Sequence, residues 1–160
     1  MIENDTLMLL FRFSNYKKYN FIEEHKVFLK EKGYVWMMKM GKKTSVDKLS
    51  KIKAQGGYIV LKSPIADGNR YYIGQFEDFQ DEMPNDKVHM PQYYSEILED
   101  IMFYDSPAQY FKLTNLQPLG DNDEDALRLE KSGKKVVDVI NETRTAVMYI
   151  VNSKALSIDF

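Results

Sequence analysis

At 160 residues the chain is long enough for one hydrophobic core and too short for two ordinary domains, and its 44% apolar and 13% aromatic content excludes the composition of disordered chains. Zero cysteines exclude disulfides, thiol catalysis and thiolate metal sites. The net charge of −2 excludes a uniformly basic protein but hides an asymmetry: residues 30–62 hold nine lysines against Glu31 and Asp47, net +7, whereas residues 63–127 hold three basic against fourteen acidic groups, net −11.

Residues 6–13 alternate Leu7, Leu9, Phe11 and Phe13 with Met8, Leu10 and Arg12, the pattern of a strand buried on both faces until Arg12. The apolar run 7–11 is far short of a bilayer span and the N-terminus lacks the basic start of a signal peptide, so a cytoplasmic protein with no membrane association is expected. Asn20 with Glu23 forms a capping pattern for a helix whose stripe carries Phe21, Ile22, Phe28 and Leu29 and which Gly33 ends. His25 lies on that stripe and reads as a packed histidine rather than a ligand or a base.

Residues 33–79 are the stretch around which the chain is organised. A strand over 34–40 sets Tyr34, Trp36, Met38 and Met40 on one face and Val35, Met37 and Lys39 on the other. Lys42 and Lys43 follow in a turn. Thr44 with Asp47 is a second capping pattern, opening a helix that buries Val46, Leu49 and Ile52 and stops at Gly56 and Gly57. A compact central strand over 58–61, a turn over 63–70 and a strand over 70–79 come next, Gly74 marking a bulge or bend in the last of these. Beyond an acidic loop over 80–90, helical spacing is found at 95–103 and 121–131, strand patterns at 109–116 and 145–151, and a segment at 134–141 that suits either period.

No metal-binding spacing or phosphate-loop pattern occurs, and any catalytic triad would have to use His25 or His89. The expectation is a binding protein without enzymatic activity and with no cofactor. Its minimal parts are aromatics beside lysines: Tyr34, Trp36, Tyr58, Tyr71, Tyr72, Tyr93 and Tyr94 near Lys39, Lys42, Lys43 and Lys62. Aromatic faces stack on bases and lysines neutralise phosphates. For each aromatic alone, core packing is the competing reading.

From residue 34 onward the order of elements resembles the PUA-like superfamily, specifically its EVE branch, related to the YTH readers of methylated RNA. YVWMMKMGKKTSVDKL is similar to that family's aromatic strand ending near a lysine and followed by a short helix. GGYIVLKSP is similar to its glycine-preceded strand ending near a serine, and YYIGQFEDF, PQYY and QYFKLTNLQPL fit the positions that follow. Met40 and Gly41 stand where the family usually has Glu-Pro. The resemblance implies a small, mostly antiparallel β-barrel over residues 34–151 flanked by short helices, an α+β fold with residues 1–33 as an extra strand and helix, all in one domain over 1–160. It further implies a pocket for a modified or flipped base at Trp36, Lys39 and Ser63. The expected partner is DNA or RNA, read by Trp36, Lys39, Lys42, Lys43, Ser63, Tyr93 and Tyr94. Base reading requires that Trp36 line an open pocket. The alternatives are a module that binds a protein partner or a second copy through its tyrosines or acidic loop, and a small nucleotide-acting enzyme using carboxylates such as Glu77.

Overall fold

The structure, a computed structural model, describes residues 1–101 and 107–160. Seven strands, β1 (Met8–Arg12), β2 (Val35–Met40), β3 (Tyr58–Lys62), β4 (Tyr71–Gln80), β5 (Pro107–Pro118), β6 (Leu127–Leu129) and β7 (Val147–Asn152), form one mixed sheet in the order β2-β5-β4-β3-β1-β7-β6. Helices α1 (Phe21–Lys32), α2 (Val46–Ala54) and α3 (Tyr94–Ile101) and the single turns α4 (Asp121–Glu124) and α5 (Val136–Val139) complete an α+β fold. No helix among the described residues is long and apolar enough to cross a membrane.

The period-2 alternation sorts the strands' side chains into separate layers. Leu9, Phe11, Val35, Met37, Ile59 and Leu61 pack with Leu49 and Ile52 of α2 and with Phe21 and Ile22 of α1 in one cluster. Met8, Leu10, Val60 and Ile150 join a second, almost wholly aliphatic cluster at the β1-β7-β6 end. Trp36 and Met38 join a third, aromatic cluster with Tyr93, Tyr94 and Ile97 of the α3 region and Tyr110 of β5.

Of the expected closed barrel the structure has only the curl. The sheet is open, its edge strands β2 and β6 sharing no ladder among the described residues. Strands β1 and β2 are four places apart in the order, roughly 19 Å in a flat sheet at about 4.8 Å per strand. Yet Phe11, Arg12 and Phe13 line the same cavity as Met38 and Met40, so the sheet bends until these two strand ends face each other. The strand expected as an N-terminal extension is interior: β1 pairs in parallel with β3 and antiparallel with β7.

Two glycines are fixed by close approach. A Cβ on Gly57, which has φ +73, would meet the Phe76 carbonyl oxygen at 2.2 Å, and one on Gly74 would lie 3.0 Å from the Asn115 carbonyl oxygen. The irregularity expected at Gly74 falls just after it, in register shifts between Gln75 and Asp78 against β5. One expected helix changes character, and one segment left open between strand and helix is decided. Leu127–Leu129 is a strand because its backbone pairs with β7, Leu127 opposite Asn152, leaving only the α4 turn helical. The segment that suited both periods is helical in α5 and the following turn. The end of the helix expected over 95–103 lies outside the described residues.

Candidate nucleic-acid interface

The seven residues expected at a base-binding site do not converge. Trp36 is 6% exposed, held among Met38, Met90, Tyr93, Tyr94 and Tyr110. The requirement that it line an open pocket is not met, and its role as a base reader is withdrawn. The cause is the position of α3, which packs over the outer face of the β2 edge. Lys39 points to the opposite face from Trp36, beside Val35 and Met37, and is fully buried. Its Nζ donates to the Lys42 carbonyl at 2.5 Å, and burial lowers its pKa. Ser63 follows β3, three strands from β2, and is a turn residue: its Oγ accepts from the Arg70 amide at 2.7 Å. Lys42 and Lys43 are exposed, Lys43 with its Nζ 3.2 Å from Asp81.

Tyr93 and Tyr94 are buried but border the cavities of this region. Tyr94 is a junction. Its hydroxyl accepts from the Met38 amide at 3.1 Å, satisfying a free edge of β2, and donates to Nε2 of His25. Nδ1 of His25 in turn donates to the Phe21 carbonyl at 2.6 Å. This network fixes the neutral tautomer of the imidazole, and full burial depresses its pKa from 6.5 to about 4. His25 is therefore the packed histidine that the helix stripe implied.

The structure does bring together a different set. A cavity of about 340 Å³ lies at the seam between the ends of β1 and β2, walled by Phe11, Phe13, Phe21, Met38, Met40, Tyr94 and Ile97 and bordered by Arg12, Ser14, Asn15 and Tyr16. It is at the small end of the roughly 300–1,000 Å³ range of ligand pockets, apolar inside with a few polar groups at its mouth. The turn Tyr16-Lys17-Lys18-Tyr19 stands beside it. Tyr19 stacks on Tyr93 with ring centroids 4.9 Å apart, and Tyr16 lies 6.4 Å from the same ring. Lys17 and Lys18 place their Nζ atoms 5.2 and 5.4 Å from the Tyr16 and Tyr19 centroids, while Lys17 also pairs with Asp100 at 3.3 Å. Asn15 shapes this turn by accepting from the Phe21 amide at 2.9 Å. On the far side, Met40 and Ala146 are shared with a second cavity of about 370 Å³ that includes Lys42 and Lys43.

The basic block is less basic in space than in sequence. Lys39 and Lys62 are buried, and Lys43, Lys48 and Lys53 pair with Asp81, Glu130 and Asp78. Among the described residues Lys30, Lys32, Lys42 and Lys51 have no carboxylate within ion-pair distance, Lys32 donating instead to the Val88 carbonyl. Sequence reasoning read residues 14–19 only as a polar, aromatic connection, although two tyrosines bracketing two lysines combine both parts of a nucleic-acid contact in four residues.

The fold and this site define an α+β domain with an aromatic-walled seam cavity flanked by two lysine-bearing turns. Compared with protein-family models, with curated proteins and with solved structures, the chain has no match.

Proposed function

We propose that the protein binds single-stranded or locally opened nucleic acid across the seam, one base entering the cavity between β1 and β2 and the backbone following the lysines of the two flanking turns. The observation that carries this is the turn Tyr16-Lys17-Lys18-Tyr19, in which Tyr16 borders the seam cavity and the two lysines lie beside the Tyr16 and Tyr19 rings. A half-exposed aromatic offers a stacking face worth about 1–3 kcal/mol per base, and lysines supply the sequence-independent, salt-sensitive part. The PUA-like, EVE-type identity belongs to this proposal: the order of elements from β2 onward supports it, and the curl of the open sheet agrees with a barrel-derived architecture. The reading of a modified base, which required an open pocket at Trp36, is not carried over, because that residue is sealed.

The test is fluorescence anisotropy with a labelled single-stranded DNA or RNA at about 50 and 200 mM salt. The expected result is a steep loss of affinity with salt, a loss of about ten-fold in Tyr16→Ala at either salt, and a shallower salt slope in Lys18→Ala. Binding that ignores both salt and Tyr16→Ala overturns the proposal.

One observation favours a second reading, a protein-interaction module. A groove of about 840 Å³ runs between α1 and the start of α3, lined by Val27, Phe28, Val88 and Met90 with Glu24, Glu31 and Glu96. Val27 and Val88 are 47% and 63% exposed there. Light scattering with and without oligonucleotide separates the two readings: mass gained only with oligonucleotide supports the first, self-association without it the second.

A further inference from the structure

The seam cavity continues onto β7. Met40 and Ala146 line it and also line the cavity of about 370 Å³, whose other walls are Thr145, Val147 and Tyr149 and the turn over 41–44. The two cavities share a floor as well. β1 and β7 are neighbouring strands, about 4.8 Å apart, and Phe11 of the first cavity is the cross-strand partner of Val147 of the second, both side chains belonging to one cluster. Ala146 stands at the junction, its carbonyl accepting from the Arg12 amide at 2.8 Å, and its single methyl leaves the two spaces joined.

The two compartments differ in chemistry. The seam compartment is walled by Phe11, Phe13, Phe21, Met38 and Ile97, an apolar surface. The second carries hydroxyls. Tyr149 is half-buried, and its hydroxyl has no hydrogen-bond partner among the described residues and is not sealed from solvent. Thr145 is exposed, and its Oγ1 accepts from the Thr143 hydroxyl at 3.1 Å, which leaves its own proton free to donate. These walls are held in place. Lys48 Nζ lies 5.0 Å from the Tyr149 ring centroid and 2.6 Å from Glu130 Oε1, which fixes the ring. The 41–44 turn is clamped to β5, the Thr44 amide donating to Gln109 Oε1 at 2.9 Å and its carbonyl accepting from Gln109 Nε2 at 2.7 Å. A group entering the second compartment thus meets hydrogen-bonding atoms on a preformed wall, whereas one entering the seam meets carbon.

We infer that the second cavity is a subsite for the nucleotide next to the one whose base enters the seam, which makes the smallest complete ligand a dinucleotide with its two bases held apart. The seam base is accepted for its flat apolar face, and its neighbour is selected through the hydroxyls of Tyr149 and Thr145. Sequence preference then resides at the neighbour position, because an apolar pocket separates groups of similar size only weakly, whereas hydrogen-bonding groups reject a base that leaves them unpaired. This rests on the proposed function of the seam, but the subsite adds a demand of its own: a second base, and not merely a second charge.

The experiment is an amide NMR titration of the whole protein, at about 50 mM salt, with adenosine dinucleoside monophosphates in ribose and deoxyribose forms. Beside them stand the two variants of each ligand in which one base is replaced by an abasic residue. All carry the same single phosphate, so the exposed lysines contribute equally to every ligand. The intact dinucleotide should shift the amides of Phe13 and Met38 at the seam and of Val147 and Tyr149 on β7, and should bind about ten-fold more tightly than either abasic form. Tyr149→Phe should weaken the intact dinucleotide about three-fold and narrow the spread of affinities across the four neighbour bases. It should leave unchanged the abasic form that still shifts the seam amides. Thr145→Val, at an exposed position, should act in the same sense and carries the test if Tyr149→Phe lowers the melting temperature. Seam shifts without β7 shifts, or an abasic form that binds as tightly as the intact dinucleotide, remove the subsite and leave the seam reading standing. Shifts on β7 without shifts at the seam remove the seam as the primary site and the two-compartment ligand with it. No shift at either cavity with any of these ligands removes both.

Discussion

The two outer layers of the sheet differ in kind. At the β1-β7-β6 end the layer is built from Leu10, Val60, Leu127, Ile140, Ile150 and Leu156, closed by the paired chain ends at Ile2 and Leu156. At the β2 edge it is built from Trp36, Met38, Tyr93, Tyr94 and Tyr110, tied by hydroxyl and imidazole hydrogen bonds and bordered by cavities. Aliphatic groups interdigitate to crystal-like density and leave nothing to bind. Flat rings with polar tips leave shaped gaps and need partners for their polar atoms, so the same amount of burial yields a layer whose integrity depends on protonation state. The first layer is sealed by aliphatic packing, and the second borders the cavities to which the proposed binding is assigned.

Matched truncations put the largest strain on this contrast. Ile150→Ala should cost about 2–5 kcal/mol and Trp36→Ala about 3–5 kcal/mol in denaturant unfolding, since both side chains are sealed. The oligonucleotide affinity of the folded fraction should be unchanged in Ile150→Ala and change little in Trp36→Ala. A selective loss of base discrimination in Trp36→Ala, with stability intact, would restore tryptophan as a base reader and erase the distinction between the two layers.

The physical content of what could be read in advance follows from range. Strands β1 to β4 and helices α1 and α2 are written in local alternation and capping, although α2 is capped by Ser45 rather than the expected Thr44 and leaves the expected core residue Val46 exposed, and the faces assigned to Val35, Met37 and Lys39 against Trp36 and Met38 are those observed. That alternation already placed Lys39 on the face of Val35 and Met37, at odds with its expected place in a base-binding site; the side chain is long enough for its ammonium to reach the Lys42 carbonyl from inside. Strand β6 was illegible because Ala126, Leu127 and Leu129 suit a helix locally and only pairing with β7 decides otherwise. The seam cavity was illegible for the same reason on a larger scale: Phe11 and Met40 meet only through the curl of the sheet. The block of lysines at residues 30–62 misled because charge along a chain says nothing about which carboxylates fold back onto it.

Next in size is a pH effect confined to the aromatic layer. His25 is neutral in the fold, with a pKa depressed from 6.5 to about 4 by burial, whereas the unfolded chain takes up its proton near 6.5. Between these values the unfolded state binds more protons, so stability is complete above pH 6.5, falls as the pH drops through the window and stops falling below about 4, by about 3 kcal/mol in all. Urea unfolding at pH 7, 6 and 5 measures it. Val27→Ala, on the exposed face of the same helix, should keep the slope, whereas His25→Gln should flatten it at a lower overall stability. An unaltered slope in His25→Gln would assign the acid sensitivity to carboxylates instead.

The smallest effect tests how the basic block is neutralised. Lys53 and Asp78 approach to 3.7 Å with both side chains about half exposed, so solvent screening and side-chain entropy offset most of their attraction. Lys53→Ala should move stability by less than about 0.5 kcal/mol in either direction. Its effect on oligonucleotide affinity should be equally slight, because Lys53 sits at the C-terminal end of α2, away from both lysine-bearing turns, and its charge is already countered by Asp78. Lys42→Met, the same loss of one positive charge from the other end of the block, should weaken binding and reduce the salt slope by about 0.7. Equal losses from the two variants would mean that the ligand senses the summed charge of residues 30–62, and the distinction between paired and unpaired lysines would carry no functional weight.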